Sequence, residues 1–152
     1  MKRFLIVALV GLAAAFPLAF AQDADPFIGG GFGVTFVGGS TITALTIQGG
    51  ADDLIGSAAL RGNFDIGISD GSFGFGVDFL ADFPSDDVIP YFGGGFGLLQ
   101  LGGSFFQLHA TGGLEFFVSD LVGLFAEIQP TYFLTAQQFG ATLRFGANYH
   151  FD

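Results

Sequence analysis

The chain has 152 residues, of which 51% are hydrophobic and only 12% charged, with 22 Phe and 26 Gly. A soluble domain carries about 25% Asp, Glu, Lys and Arg, so half the usual solubilising charge is missing. After residue 21 two arginines, Arg61 and Arg144, stand against 14 acidic residues, a net charge of −12 that excludes nucleic acid as a partner, while the absence of Cys excludes disulfides, thiol catalysis and cysteine-based metal sites.

The first element is an export signal. Lys2 and Arg3 form a basic start, Phe4 to Phe16 an apolar run, and Ala19-Phe20-Ala21 a small-x-small cleavage site. The run falls short of the ~20 residues that span a bilayer, and Pro17 ends it. With no Cys to carry a lipid, the expectation is a cleaved signal peptide over 1–21 and a single mature domain over 22–152.

From residue 26 onward the hydrophobic period is two, and no 3.6-residue period persists. Alternation between turn signals predicts eight strands, over 26–37, 40–48, 54–69, 72–83, 90–101, 104–118, 121–134 and 138–151. The second is the weakest, because Thr41 to Gln48 assigns neither face clearly. In the fourth, Phe73, Phe75, Val77, Phe79, Ala81 and Phe83 oppose Ser72, Gly74, Gly76, Asp78 and Asp82. In the eighth, Phe139, Ala141, Leu143, Phe145, Ala147, Tyr149 and Phe151 alternate with Gln138, Gly140, Thr142, Arg144, Gly146, Asn148 and His150. Short connections, with Asp70-Gly71 as a two-residue hairpin signal, make neighbours antiparallel.

A soluble barrel would alternate in the same way, so the polar faces decide. They consist mainly of Gly, Ser, Thr and Gln, and no Lys follows residue 21, whereas a water-facing sheet is rich in Lys and Glu. Apolar side out and polar side in is the bilayer arrangement, in which barrel closure satisfies every backbone N–H and C=O. The predicted fold is therefore an all-β, eight-stranded antiparallel transmembrane β-barrel. There is also an internal echo: Pro26-Phe27-Ile28-Gly29-Gly30-Gly31-Phe32-Gly33-Val34 against Pro90-Tyr91-Phe92-Gly93-Gly94-Gly95-Phe96-Gly97-Leu98.

Three stretches carry a family resemblance: the Pro90 to Gly97 strand, Gly113-Leu114-Glu115-Phe116-Phe117-Val118-Ser119-Asp120, and Phe125-Ala126-Glu127-Ile128. Over 26–151 the chain resembles the small eight-stranded outer-membrane barrels, the group of OmpX and the OmpA transmembrane domain. The resemblance implies residence in the bacterial outer membrane as a monomer, with outer-membrane lipid and the barrel assembly machinery as partners. The terminal pattern Arg144-x-Gly146-x-x-Tyr149-x-Phe151 resembles the signal that this machinery recognises, although Asp152 follows the aromatic where the family ends on it. A second departure is that the outer loops are short, leaving little room for recognition.

The charges assigned to the lumen are Arg61, Asp65, Asp78, Asp82, Glu115, Glu127 and Arg144, joined by Gln107, His109, Gln129 and Asn148. If Ser69 faces Ser72, Arg61 stands opposite Leu80 and diagonal to Asp78 and Asp82; if Leu134 faces Gln137, Glu127 stands opposite Arg144. Eight strands enclose just enough space for side chains, so paired charges read as a filled core, with a narrow cation-preferring channel as the alternative. A lipid-modifying enzyme is the third class, but no Ser stands beside His109 or His150, so no catalytic residue is assigned. Asp52-Asp53 and Asp86-Asp87 read as solvated turn charges without the spacing of a calcium loop, and no metal or cofactor is expected.

Overall fold

The computed structural model describes residues 24–68, 71–83 and 88–151. Period-two segments become β1 (Asp25–Val37), β2 (Ser40–Ile55), β3 (Ala58–Gly67), β4 (Phe73–Asp82), β5 (Val88–Gln100), β6 (Ser104–Ser119), β7 (Val122–Phe133) and β8 (Gln138–His150). Each strand pairs antiparallel with the next, and β8 pairs back onto β1 from Phe27–His150 to Val37–Gly140. The sheet is a closed eight-stranded barrel. The end that holds both termini is called the terminal end below, and the opposite one the distal end.

Closure turns the apolar face outward. Phe75, Phe79, Phe92, Phe96, Phe106 and Phe145 are between 42% and 60% exposed, while Arg61, Asp78, Glu127, Gln129 and Arg144 are no more than 5% exposed. This inverts the order of a water-soluble protein and is the order that hydrocarbon demands. Among the described residues, apolar side chains inside the barrel include Ala59, Leu80 and Tyr91, packed together toward the terminal end with Phe27 and Phe125 also at that end, and Ile42 and Phe133 toward the distal end.

The strand bounds depart from the sequence expectation at two places. β2 does not stop at Gln48; it runs to Ile55 through Asp52 and Asp53, and the turn falls at Gly56-Ser57. Asp52 pairs with Asp25, the register shifts between Ala51 and Ile55, and Asp53 takes a left-handed φ of 54° that Asp tolerates. Polar residues end a strand in a soluble hairpin, but here the two aspartates lie within β2: Asp52 approaches His150, and apolar Leu54 and Ile55 follow before the turn. Asp86-Asp87 lies outside the described residues, as do residues 1–23 with the expected signal, Ser69-Asp70 and Asp152.

The second departure is one of register. Ile66 faces Phe73 and the Gly67 N–H donates to the Ser72 carbonyl at 2.8 Å, so Ser72 stands opposite Gly67 and not opposite Ser69. Arg61 consequently faces Asp78, not Leu80. A slip of two residues leaves every side chain on its original face, so alternation alone could not detect it. On the β7–β8 seam Phe133 faces Gln138 and Glu127 faces Arg144, the register derived from the sequence.

Candidate functional site

The lumen places a polar cluster midway along the barrel, each member carried inward by strand alternation. Asp78 on β4 is wholly buried. Its Oδ2 accepts from Arg61 Nε at 3.1 Å and Asn63 Nδ2 at 2.8 Å, and its Oδ1 accepts from His109 Nε2 at 2.6 Å and Thr111 Oγ1 at 3.2 Å. Glu127 on β7 is the second centre. Arg61 reaches across the barrel to it with both terminal nitrogens, Nη1 to Oε2 at 2.7 Å and Nη2 to Oε1 at 3.2 Å. Tyr91 Oη donates to Oε2 at 2.9 Å, Gln129 Nε2 to Oε1 at 3.2 Å, and Arg144 Nη1 lies 3.5 Å from Oε1.

Arg144 makes its shorter contact elsewhere, from Nη2 to Asp65 Oδ2 at 2.6 Å, and Asp65 Oδ1 accepts from Thr46 Oγ1 at 2.5 Å. Both arginines are thus held by one carboxylate on a neighbouring strand and another across the lumen. Burying such charges is tolerated because each is paired and hydrogen-bonded. Small residues make the room. A Cβ at Gly95 would stand 2.7 Å from His109 Nε2, and one at Gly113 would collide with the Tyr91 ring.

A separate group occupies the terminal end. Gln48 Nε2 donates to Asn148 Oδ1 at 2.7 Å, Asn148 Nδ2 to Glu115 Oε1 at 3.0 Å, and His150 Nε2 to the same Glu115 oxygen at 3.0 Å. His150 Nδ1 lies 3.6 Å from Asp52 Oδ2. The structure therefore brings Arg61, Asp65, Asp78, Glu127 and Arg144 together, puts Glu115 in this second group, and leaves Asp82 away from Arg61, facing Tyr91 across β4–β5. Of the terminal pattern, Arg144 and Gly146 point inward while Tyr149 and Phe151 point outward at 44% and 46% exposure.

The imidazoles of His109 and His150 face carboxylates, and Nδ1 of His109 is buried without a hydrogen-bond partner. Near the distal end, a cavity of about 30 Å³ is lined by Thr35, Asp65, Gln107, Thr142 and Arg144 among others. That volume holds a water molecule or two and no larger solute.

The sequence reading missed Tyr91, Asn63 and Thr111 as members of the network. Tyr91 had a signal: within the echo it replaces Phe27, and the added hydroxyl on an inward, buried ring calls for a partner. The contacts across the lumen had none, since pairing rules relate only adjacent strands.

Outside, a lipid-facing apolar band surrounds this core. The fold is that of the small outer-membrane barrels. The Neisserial surface protein A crystal structure superposes with a TM-score of 0.56 at 16% identity, covering 84% of this chain and 97% of that one. The N-terminal β-barrel domain of Pseudomonas aeruginosa OprF superposes at 0.57 with 14% identity, over 83% and 97%. Ail, the attachment invasion locus protein of Yersinia pestis, in complex with the heparin analogue sucrose octasulfate, superposes at 0.51 with 16% identity, over 84% and 97%. No protein-family model matches the chain, and no curated protein sequence matches it.

Proposed function

We propose that the chain is a monomeric, integral protein of the bacterial outer membrane whose sealed, charged lumen makes it a structural element of the envelope, exported by cleavage after Ala21. The observation that carries this reading is Glu127, which ties Arg61 and Arg144 together across the barrel and fills its middle with paired charge. Arg144, Gly146, Tyr149 and Phe151 serve in this reading as the signal for the assembly machinery. Catalysis and cofactors have no part in it.

A surface-interaction role is the coarser alternative. The neighbour solved with a heparin analogue suggests polyanion capture, but the only cations after residue 21, Arg61 and Arg144, are 2% and 5% exposed and already paired. A cation-preferring channel is the second reading, favoured by the distal cavity that ends on the Arg144–Asp65 pair and by the surplus of inward carboxylates. Planar-bilayer recording of the refolded chain from Gln22 onward separates the two. A closed core gives no stable unitary current; currents in the unmodified protein that change size on Arg144→Ala would establish the channel instead.

A further inference from the structure

A barrel embedded in lipid meets a headgroup layer at each rim, and the side chains there decide which headgroups fit. Basic side chains near a membrane surface attract anionic lipid headgroups. This barrel has none to offer, because Arg61 and Arg144 are interior and no Lys follows residue 21. Among the described residues, the exposed polar side chains at the distal rim are Ser40, Thr41, Ser104, Thr135, Gln137 and Gln138, none of them basic, and the β3–β4 connection at the same rim contributes Asp70 to the sequence and no Lys or Arg. At the terminal rim Asp25, Asp53 and Asp120 are exposed, and the only nearby imidazole, His150, is turned inward onto Glu115 and Asp52.

We propose that this barrel is matched to lipid headgroups of no net charge: hydroxyls and amides with no basic side chain among them meet the headgroups at the distal rim, and carboxylates turn anionic lipid away at the terminal rim. The proposal rests on the lipid-embedded barrel described above and goes beyond it by naming the lipid class. Anionic lipid bridged by divalent cations is the competing occupant.

The chain has no Trp, so a single Trp reports on its own surroundings. Phe139→Trp, at an outward position 80% exposed near the distal rim, and Tyr149→Trp, outward near the terminal rim, supply two reporters. Phe106→Trp and Phe116→Trp replace them if either fails to fold. Each variant is refolded into phosphatidylcholine vesicles that contain a minority of brominated phosphatidylglycerol, and quenching is compared with that from brominated phosphatidylcholine at the same fraction.

The expected association of phosphatidylglycerol relative to phosphatidylcholine is at least threefold below one at the terminal reporter and no higher than one at the distal reporter, in EDTA and in millimolar Mg²⁺ alike. Adding Thr41→Lys and Gln138→Lys should raise the distal value above one, showing that the assay reads rim charge. A value of one or more at the terminal reporter, a value above one at the distal reporter, or enrichment that emerges with Mg²⁺ would overturn the proposal. A chain that never gains the heat-shifted mobility of a folded barrel would sink the barrel reading and this proposal with it. A folded barrel that gathers phosphatidylglycerol would sink this proposal alone.

Discussion

Arg61 on β3 and Glu127 on β7 face each other across the lumen through two contacts, 2.7 Å and 3.2 Å, although three strands, β4 to β6, lie between them in sequence. A planar guanidinium against a carboxylate is the strongest neutral-sum pairing that side chains provide. Here it also braces opposite walls of the barrel.

Removing one side of that brace should cost more than removing both in proportion. Glu127→Ala leaves two buried arginines short of a carboxylate, and about 3–5 kcal/mol of stability should be lost. A double-mutant cycle with Arg61→Leu and Glu127→Leu should return a coupling of about 2 kcal/mol or more. Urea unfolding in vesicles, followed by the shift in gel mobility, measures both. Additive single effects would show that the pair does not act as a unit.

The corrected β3–β4 register makes a sharper prediction about which aspartate Arg61 needs. Asp78 accepts four hydrogen bonds and is wholly buried, whereas Asp82 stands away from Arg61 near the terminal end. Asp78→Asn should cost about 3 kcal/mol or more, since it weakens an ion pair and puts an amide where only acceptors are wanted. Asp82→Asn should stay within about 0.5 kcal/mol. The reverse order in the same unfolding assay would restore the register with Arg61 opposite Leu80.

Those two aspartates also mark how far the sequence could be read. Alternation placed both on the inward face, because the burial of one face fixes a period of two with no ambiguity. It could not place them at the right height, because the β3–β4 connection decides the height and a two-residue slip is silent. Glu127 opposite Arg144 was legible because its turn is short, but the reach of Arg61 to the same carboxylate depends on barrel curvature, which no strand pattern encodes. At Asp52-Asp53 the difference has another source: adjacent acidic residues resemble a turn in sequence, but pairing with Asp25 and a left-handed φ at Asp53 keep them within β2.

Tyr91 offers a test of the network at a single atom. Tyr91→Phe deletes the hydroxyl that donates to Glu127 Oε2 at 2.9 Å and keeps the ring that packs with Ala59 and Leu80. The expected loss is about 1.5–3 kcal/mol, the range for a hydrogen bond to a charged group. The echo supplies the mirror change. Phe27→Tyr would add a hydroxyl to a 7% exposed inward ring whose close neighbours are the rings of His150 and, through it, Phe117. That variant should be destabilised as well, and a gain in stability from it would mean that the terminal end has polar capacity to spare.

The β1–β8 seam carries the last prediction. Gly31 faces Gly146 across it, and a Cβ on Gly146 would collide with the backbone of Gly30 and Gly31, which cannot move without opening the seam. Gly146→Ala should therefore prevent closure, and the chain should give no heat-shifted band on refolding into pure lipid. Gly112→Ala is the control, because a Cβ there meets nothing within 4 Å. Since Gly146 also belongs to the proposed assembly signal, the use of lipid without any machinery separates the two roles. A chain with Gly146→Ala that closes normally in lipid yet fails to assemble in cells would assign the glycine to recognition; failure in both places would assign it to the close approach of β1 and β8.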